Sequence, residues 1–452
     1  MALRRWLAGC AAGAALAATG LLAGPGVPAA AGAPDAPGPA VTRGAAAPPA
    51  RSGIPAEDER STACSPVPVG YSACLVDLLQ PGPGALPRPA GHVGPKSAPG
   101  GLSPNAIATA YGFSTTGGSG STLAIVDAYG DPTITSDLAA FSTQYDLRPC
   151  TTSNHCLTTV DETGGASAAP APRGTTGWGL EASMDVEWAH ALAPDADILL
   201  VEATSNSDTD LFAAVRYAAA RAQYVTMAWG GTEFAGETAL DAAFADPSVS
   251  YFAAVGDTAS DVLYPATSPD VIAVGGTTLT VTGATGAWES ETAWATAGGG
   301  CSQYETAAPA QAGYPSYDQQ GAGCAGRRAV PDISLDANPS TGVAVYDTDG
   351  ESGWLVAGGT SASADMVAAH AAETGAHVDA TFVYTKLQAY NVATGSNGHP
   401  CEKGYNLCTG LGSWNDAVGS VHAATGAGSG GALEFSSGAQ DLTAGTWSGP
   451  VT

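Results

Sequence analysis

Residues 121–130 read STLAIVDAYG, an apolar and β-branched run that stops at Asp127 and a glycine turn. The run does not alternate polar with apolar, so it suits a strand covered on both faces rather than one. The next stretch, PTITSDLAAFSTQYDL (132–147), has helical spacing. Further along, ADILLVEA (196–203), YVTMAWGG (224–231), SVSYFAAVGD (248–257) and VIAVGGTTL (271–279) repeat the apolar run, with the helical DLFAAVRYAAARA (210–222) between the first two. Short buried strands separated by helices predict an α/β fold, a mostly parallel sheet with helices on both faces. In such sheets chemistry gathers at the carboxyl ends of the strands. Asp127, Trp229 and Asp257 all fall there.

The chain has 42 acidic against 15 basic residues, a net charge of −27. That excludes nucleic acid as a partner, because phosphate binding needs clustered Lys and Arg. It also makes a protein whose self-repulsion relaxes as carboxylates take up protons. Residues 1–31 open with Arg4 and Arg5, continue apolar through Leu22 and end on Ala29–Ala31, the pattern of an export signal. A secreted, extracellular protein is expected. No later run reaches the roughly 18 apolar residues a membrane helix needs. Of the nine cysteines, Cys10 lies in the signal and the other eight form four close couples: Cys64 with Cys74, Cys150 with Cys156, Cys301 with Cys324, Cys401 with Cys408. Four local disulfides are predicted, as suits an oxidising compartment. Residues 32–100, rich in Ala, Pro and Gly, read as a linker or short pro-segment. The folded region is placed at 101–425 and a flexible Gly/Ala/Ser-rich tail at 426–452.

Three stretches carry chemistry. GTTGWGLEASMDVEWAHALAP (174–194) reads as a helix capped by Thr175 or Thr176, with Glu181 and Asp185 one turn apart on the same face. On a surface these are a solvated acidic face; in a buried site they share a proton and one pKa rises. In YFAAVGDTASD (251–261) Asp257 ends an apolar run. It is either a turn former or, if protonated, a hydrogen-bond donor to an oxyanion. In GWLVAGGTSASADMVAAH (353–370), two glycines and Thr360 lead Ser361 into a helix, where the positive dipole end favours a developing oxyanion.

Glu181, Asp185, Asp257 and GGTSAS (358–363), in this order, together with PATSPDVIAVGGT (265–277), PDISLDANPSTGVAVY (331–346) and the ATGSNG and CTGLGS segments (393–398 and 408–413), resemble the sedolisin family of serine-carboxyl peptidases over about Gly101–Asp416. The likeness is greatest to short secreted actinobacterial-type members. It implies a subtilisin-like fold in a single catalytic domain, and endopeptidase or tripeptidyl-peptidase action on proteins or peptides in acid. Ser361 becomes the nucleophile and Glu181 its general base. Asp185 orients Glu181, and Asp257 donates to the oxyanion with the Ser361 N–H. Trp229 and Gly230 take the substrate-binding edge. No cofactor is required for the chemistry, and a monomer is expected. A Glu base, with an unperturbed pKa of about 4.3, works best in acid, and an Asp donor must hold its proton.

Three features depart from the family pattern. Asp365 stands where proline is usual, and Ala228 where serine is usual. The family's calcium site falls on Asn391, Val392, Glu402, Gly404 and Asn406, with both carboxylates turned to amides. Calcium prefers charged oxygens, so weak or no binding is expected, with Cys401–Cys408 closing the loop instead. Two alternatives remain. One is a sedolisin-like binding protein that has lost catalysis. The other is a His-based subtilase mechanism using Asp127, for which no histidine sits in the required His-Gly-Thr-His setting.

Overall fold

The computed structural model describes residues 60–79, 99–172, 177–283, 285–317 and 324–417. The expected export signal, the C-terminal tail, Thr175 and Thr176 lie outside them. Three short strands come first: β1 (Arg60–Thr62), β2 (Ala73–Cys74) and β3 (Asp77–Leu79). The chain then alternates: α1 (Pro104–Tyr111), β4 (Thr122–Ala128), α2 (Ile134–Gln144), β5 (Leu157–Asp161), α3 (Trp178–Leu192), β6 (Asp197–Ala203), α4 (Asp208–Ala219), β7 (Tyr224–Met227), β8 (Trp229–Thr232) and β9 (Ser250–Ala254). There follow β10 (Leu263–Tyr264), β11 (Ile272–Thr282), β12 (Ala287–Ala293), β13 (Gly300–Thr306), β14 (Arg327–Val330), β15 (Ile333–Asp336), β16 (Val343–Asp347) and β17 (Gly353–Gly358). The last of these runs into helix α5 (Thr360–Thr374).

The central sheet has the order β12-β11-β9-β7-β4-β6-β5, with β15 also paired to β11. Its pairs are parallel except β11 with β12. Every residue of β7 and β9, and all of β4 after Thr122, is buried. Both faces of these strands are therefore covered, as their unbroken apolar runs require.

Two helices lie deep in the molecule. All of α3 except Gly179 is buried, and so is α5 from Thr360 to Ala372. Small residues on α5 (SASADMVAAHAA) let it approach α3 and the sheet closely. The polar groups these helices carry are consequently buried too. Helix α3 begins at Gly177, whose φ of 118° suits glycine, and has no side-chain cap.

All four expected disulfides form: Cys64–Cys74, Cys150–Cys156, Cys301–Cys324 and Cys401–Cys408. The first lies in the stretch expected as linker or pro-segment. Residues 60–79 of that stretch are built into the domain: β3 pairs with β17 and β2 with β8. The low periodicity of this stretch concealed the pairing, since strands of two or three residues show no pattern of their own.

Candidate active site

Helix α5 starts where β17 ends. Gly359, with φ of 104°, makes the corner, and Thr360 and Ser361 form the first turn. The backbone N–H groups of a first turn have no acceptor within the helix. The Thr360 N–H and hydroxyl both donate to Asp257 Oδ1, at 2.8 Å each. The Thr360 hydroxyl oxygen in turn accepts from Gly256 N–H at 3.1 Å. Asp257 thus fixes the strand-end loop after β9 to the N-terminus of α5, which is more than a turn former does. The Ser361 hydroxyl donates to the Ala228 carbonyl at 3.0 Å.

Glu181, Asp185 and Ser361 are each fully buried. This discards the solvated acidic face as a reading of the 181/185 pair. Burial is the main cause that pushes the Glu181 carboxyl well above its ordinary range; the nearby Asp127 adds to it, and the Ser361 hydroxyl opposes it. Ser361 therefore neighbours Glu181 while its hydrogen points at Ala228. Asp185 is raised by burial first, then by Asp365 and Asp127. Asp365, also raised by burial, reaches only about 6, because Asp185 and Thr226 stabilise its charged form. The Thr226 hydroxyl donates to Asp365 Oδ1 at 2.8 Å. The two aspartates therefore titrate as a pair, which holds a proton where a free aspartate would have lost it.

Asp127, fully buried at the end of β4, belongs to the same group. Burial raises it most, then Asp365, Glu202 and Asp131. In the sequence Asp127 read as a strand-end residue and Asp365 as a departure from the family pattern; the structure joins both to the Glu181–Asp185 pair. The available signal was that both precede or follow a run of small, buried residues, where an isolated charge is costly. Such a group can pass protons among carboxyls and can hold few net charges at once.

Among the described histidines, His155 is exposed and the other four are engaged elsewhere. His190 meets the Arg148 carbonyl at 2.6 Å, and burial lowers its pKa. His370 stacks on Phe113 and lies between Glu373 and Asp416. His377 meets Ser250, and His399 the Gly299 carbonyl. Trp229 is buried against Phe212 and donates to the Val126 carbonyl at 2.7 Å. Gly230 lies on β8, whose edge pairs with β2.

The residues at the expected calcium position do not fit a cation. Asn391 Oδ1 accepts from Gly404 N–H at 3.1 Å, which turns its amide N–H group toward the Gly404 and Leu411 carbonyls, at 2.9 and 3.2 Å. Asn406 Oδ1 accepts from Cys408 and Thr409 N–H, and its amide nitrogen donates to the Glu402 carbonyl at 3.0 Å. The Val392 carbonyl accepts from the Thr409 hydroxyl at 2.9 Å. The carbonyls of Val392, Glu402 and Gly404 are thus already occupied by hydrogen-bond donors.

Residues 163–407 match the model of the subtilase family. Among curated proteins, the chain is 33% identical over 285 residues to kumamolisin of Bacillus sp. (strain MN-32), covering 54% of this chain and 50% of that one. It is 44% identical over 96 residues to sedolisin of Pseudomonas sp. (strain 101), covering 19% and 15%. The chain therefore spans half or less of the length of these curated relatives. A solved structure of Pseudomonas sedolisin, a serine-carboxyl proteinase complexed with two molecules of pseudo-iodotyrostatin, superposes with a TM-score of 0.58 at 25% identity. That match covers 70% of this chain and 96% of the other.

Proposed function

We propose that the chain, which belongs to the subtilase family, is a secreted serine-type peptidase of the sedolisin type that hydrolyses peptide bonds in acid. Ser361 attacks the scissile carbonyl. Glu181 takes its proton and returns one to the leaving amine, and Asp185 holds Glu181 in place. Asp257 and the Ser361 N–H receive the oxyanion. The observation that carries this reading is the burial of Glu181 beside Ser361 within a group of carboxyls, at the N-terminus of α5.

A serine hydroxyl needs an adjacent base. Glu181 acts as one only after losing its proton, and burial is the largest cause of its holding it. Water entering the cleft lowers that cost, while Asp185, raised by burial, places no second charge beside Glu181. Asp257 serves as a donor only while protonated, which acid favours. The residue types thus set an acidic working range. Asp365 is compatible with catalysis, because its partners are Thr226 and Asp185 rather than Ser361. No cofactor enters the scheme. The substrates are proteins or peptides, laid along β8 at Trp229 and Gly230.

Hydrolysis of denatured casein at about pH 4, compared with Ser361→Ala, tests the reading. Turnover in the first and none in the second is expected. Equal, negligible turnover by both folded proteins would instead support a binding protein.

A further inference from the structure

At the end of the central sheet away from Ser361, a cavity of about 250 Å³ opens to solvent. Asp246 reaches it from the loop before β9, Tyr251 from β9 itself, Asp270 from the turn before β11, and His377 and Asp379 from the loop after α5. β9 begins at this cavity and runs toward Asp257. The 15 residues of α5, rising about 1.5 Å each, put roughly 20 Å between Ser361 and the loop that carries His377. No residue of the candidate active site lines the cavity.

The rim is rich in acceptors and poor in donors. Asp379 Oδ1 caps the short helix Ala380–Thr385, accepting from Phe382 N–H at 2.7 Å. Asp246 Oδ1 accepts from the Ser248 N–H and hydroxyl at 2.9 and 2.6 Å. Among the described residues, the second oxygen of each and both oxygens of Asp270 receive no donor, and none of the three carboxylates meets a Lys or Arg. Tyr251 is only 2% exposed, and its hydroxyl is buried with no hydrogen-bond partner. Burial raises its pKa most, and Asp246 and Asp270 add to it, so the hydroxyl stands within electrostatic reach of both carboxylates. The Asp246 N–H opposes the rise without the geometry of a hydrogen bond. A buried phenol of this kind has a lone pair and a hydrogen left to place. Phe244 meets the Tyr251 ring edge to face at 5.3 Å, and prolines supply further flat wall.

These features select a flat, positively charged group that carries donors. An anion would face three carboxylates, and a neutral amide would bring acceptors to a rim short of donors. An ammonium supplies three donors but no flat face. A guanidinium supplies five N–H donors in one plane, accepts nothing, and packs its faces on aromatic rings. The net charge of −27 draws basic polypeptides to the surface as a whole.

We propose that this cavity is a second binding site, separate from the cleft, that takes the guanidinium of an arginine side chain in a polypeptide. The guanidinium donates to the free carboxylate oxygens of the rim and to the Tyr251 oxygen, whose own hydrogen turns to a carboxylate. Binding requires ionised carboxylates, so it holds at neutral pH and is released in acid. Burial raises Asp270, with Asp241 adding to it, while the Ser248 hydrogen bonds lower Asp246, so the rim loses its charge in steps. His377, 3.2 Å from the Ser250 hydroxyl, adds positive charge in the same direction when protonated. Binding here and the proposed hydrolysis thus favour opposite pH ranges, and neither depends on the other.

The test titrates the full chain with N-acetylarginine methylamide in a calorimeter at about pH 7.5, where carboxylates are ionised and an ordinary histidine is neutral. Saturable binding of one probe per chain, with a Kd of about 1 mM or below, is expected. It should be unchanged in Ser361→Ala, and weakened about tenfold or more in the Asp270→Asn, Asp379→Asn double variant. Asparagine also caps helices, so the variant keeps its fold, which an unchanged circular dichroism spectrum verifies. N-acetylcitrulline methylamide, of the same shape without the charge, should not bind, nor should the arginine probe at about pH 3. No saturable binding of the arginine probe below about 10 mM, equal binding of the citrulline probe, or undiminished binding by the double variant overturns the site. Loss of binding in Ser361→Ala puts the probe in the cleft and overturns it too. Free arginine that binds about tenfold tighter than the blocked probe overturns the polypeptide as its source.

Discussion

Two regions of this molecule bury oxygen atoms close together and neutralise them in opposite ways. Beneath the cleft, Glu181, Asp185, Asp127 and Asp365 keep their carboxyls, and burial holds them protonated beyond the usual range. In the loop closed by Cys401–Cys408, carbonyls that resemble calcium ligands are satisfied by the amides of Asn391 and Asn406. An amide supplies its hydrogens at any pH; a carboxyl does so only while it holds a proton. The first region is therefore responsive to pH, and the second is built to be indifferent to both pH and ions.

The largest effect expected from breaking this contrast is at Glu181. Glu181→Gln retains shape and burial but cannot accept the serine proton. It should lower kcat by about 10⁴-fold or more with the melting temperature in acid maintained, as members of a catalytic unit act together. Steady-state kinetics on denatured casein would measure it. Near-normal turnover removes Glu181 from the mechanism.

Asp365→Asn converts one member of the first region toward the second. Asp365 has a folded pKa of about 6 against about 3.9 unfolded. The folded form thus binds more protons between those values, and stability falls as pH rises through that window, the penalty being complete above it. The asparagine variant should gain on the order of 2 kcal/mol at neutral pH and nothing below about pH 3.5. Urea unfolding at both pH values checks this. The same sign applies to Asp131 and Glu202, each raised to about 7 mainly by burial, so the whole protein should melt at a higher temperature in acid.

The smallest expected effect is at the amide loop. Calcium should leave the melting temperature of the wild type unchanged within about a degree, since donors already fill the carbonyl positions. Paired Asn391→Asp and Asn406→Asp substitutions should create a calcium-dependent rise of a few degrees, about 1 kcal/mol. A large calcium shift in the wild type would show that the amides turn to admit the ion.

Much of the fold was legible because β4, β6, β7, β9 and β11 are short, continuous apolar runs, and a strand buried on both faces has no other sequence form. Ser361 was legible from the glycines and small residues around it, and Glu181 and Asp185 from their one-turn spacing on a helix. Their burial was not, because α3 is enclosed by elements distant in sequence, and an acidic pair reads the same on a surface. Asp127 and Asp365 were seen singly, but their association depends on α3, α5 and β4 meeting. The segment at 60–79 was the least legible. Its strands are two or three residues long, and what holds them is a register on β8 and β17 rather than any pattern of their own.

The central claim, that carboxyls do the proton transfer here, is tested most directly by the pH dependence of kcat/KM for the wild type and Glu181→Gln on denatured casein. The account predicts a maximum in acid, below about pH 5, that vanishes in the variant. Activity that climbs toward neutral pH and survives Glu181→Gln would contradict it.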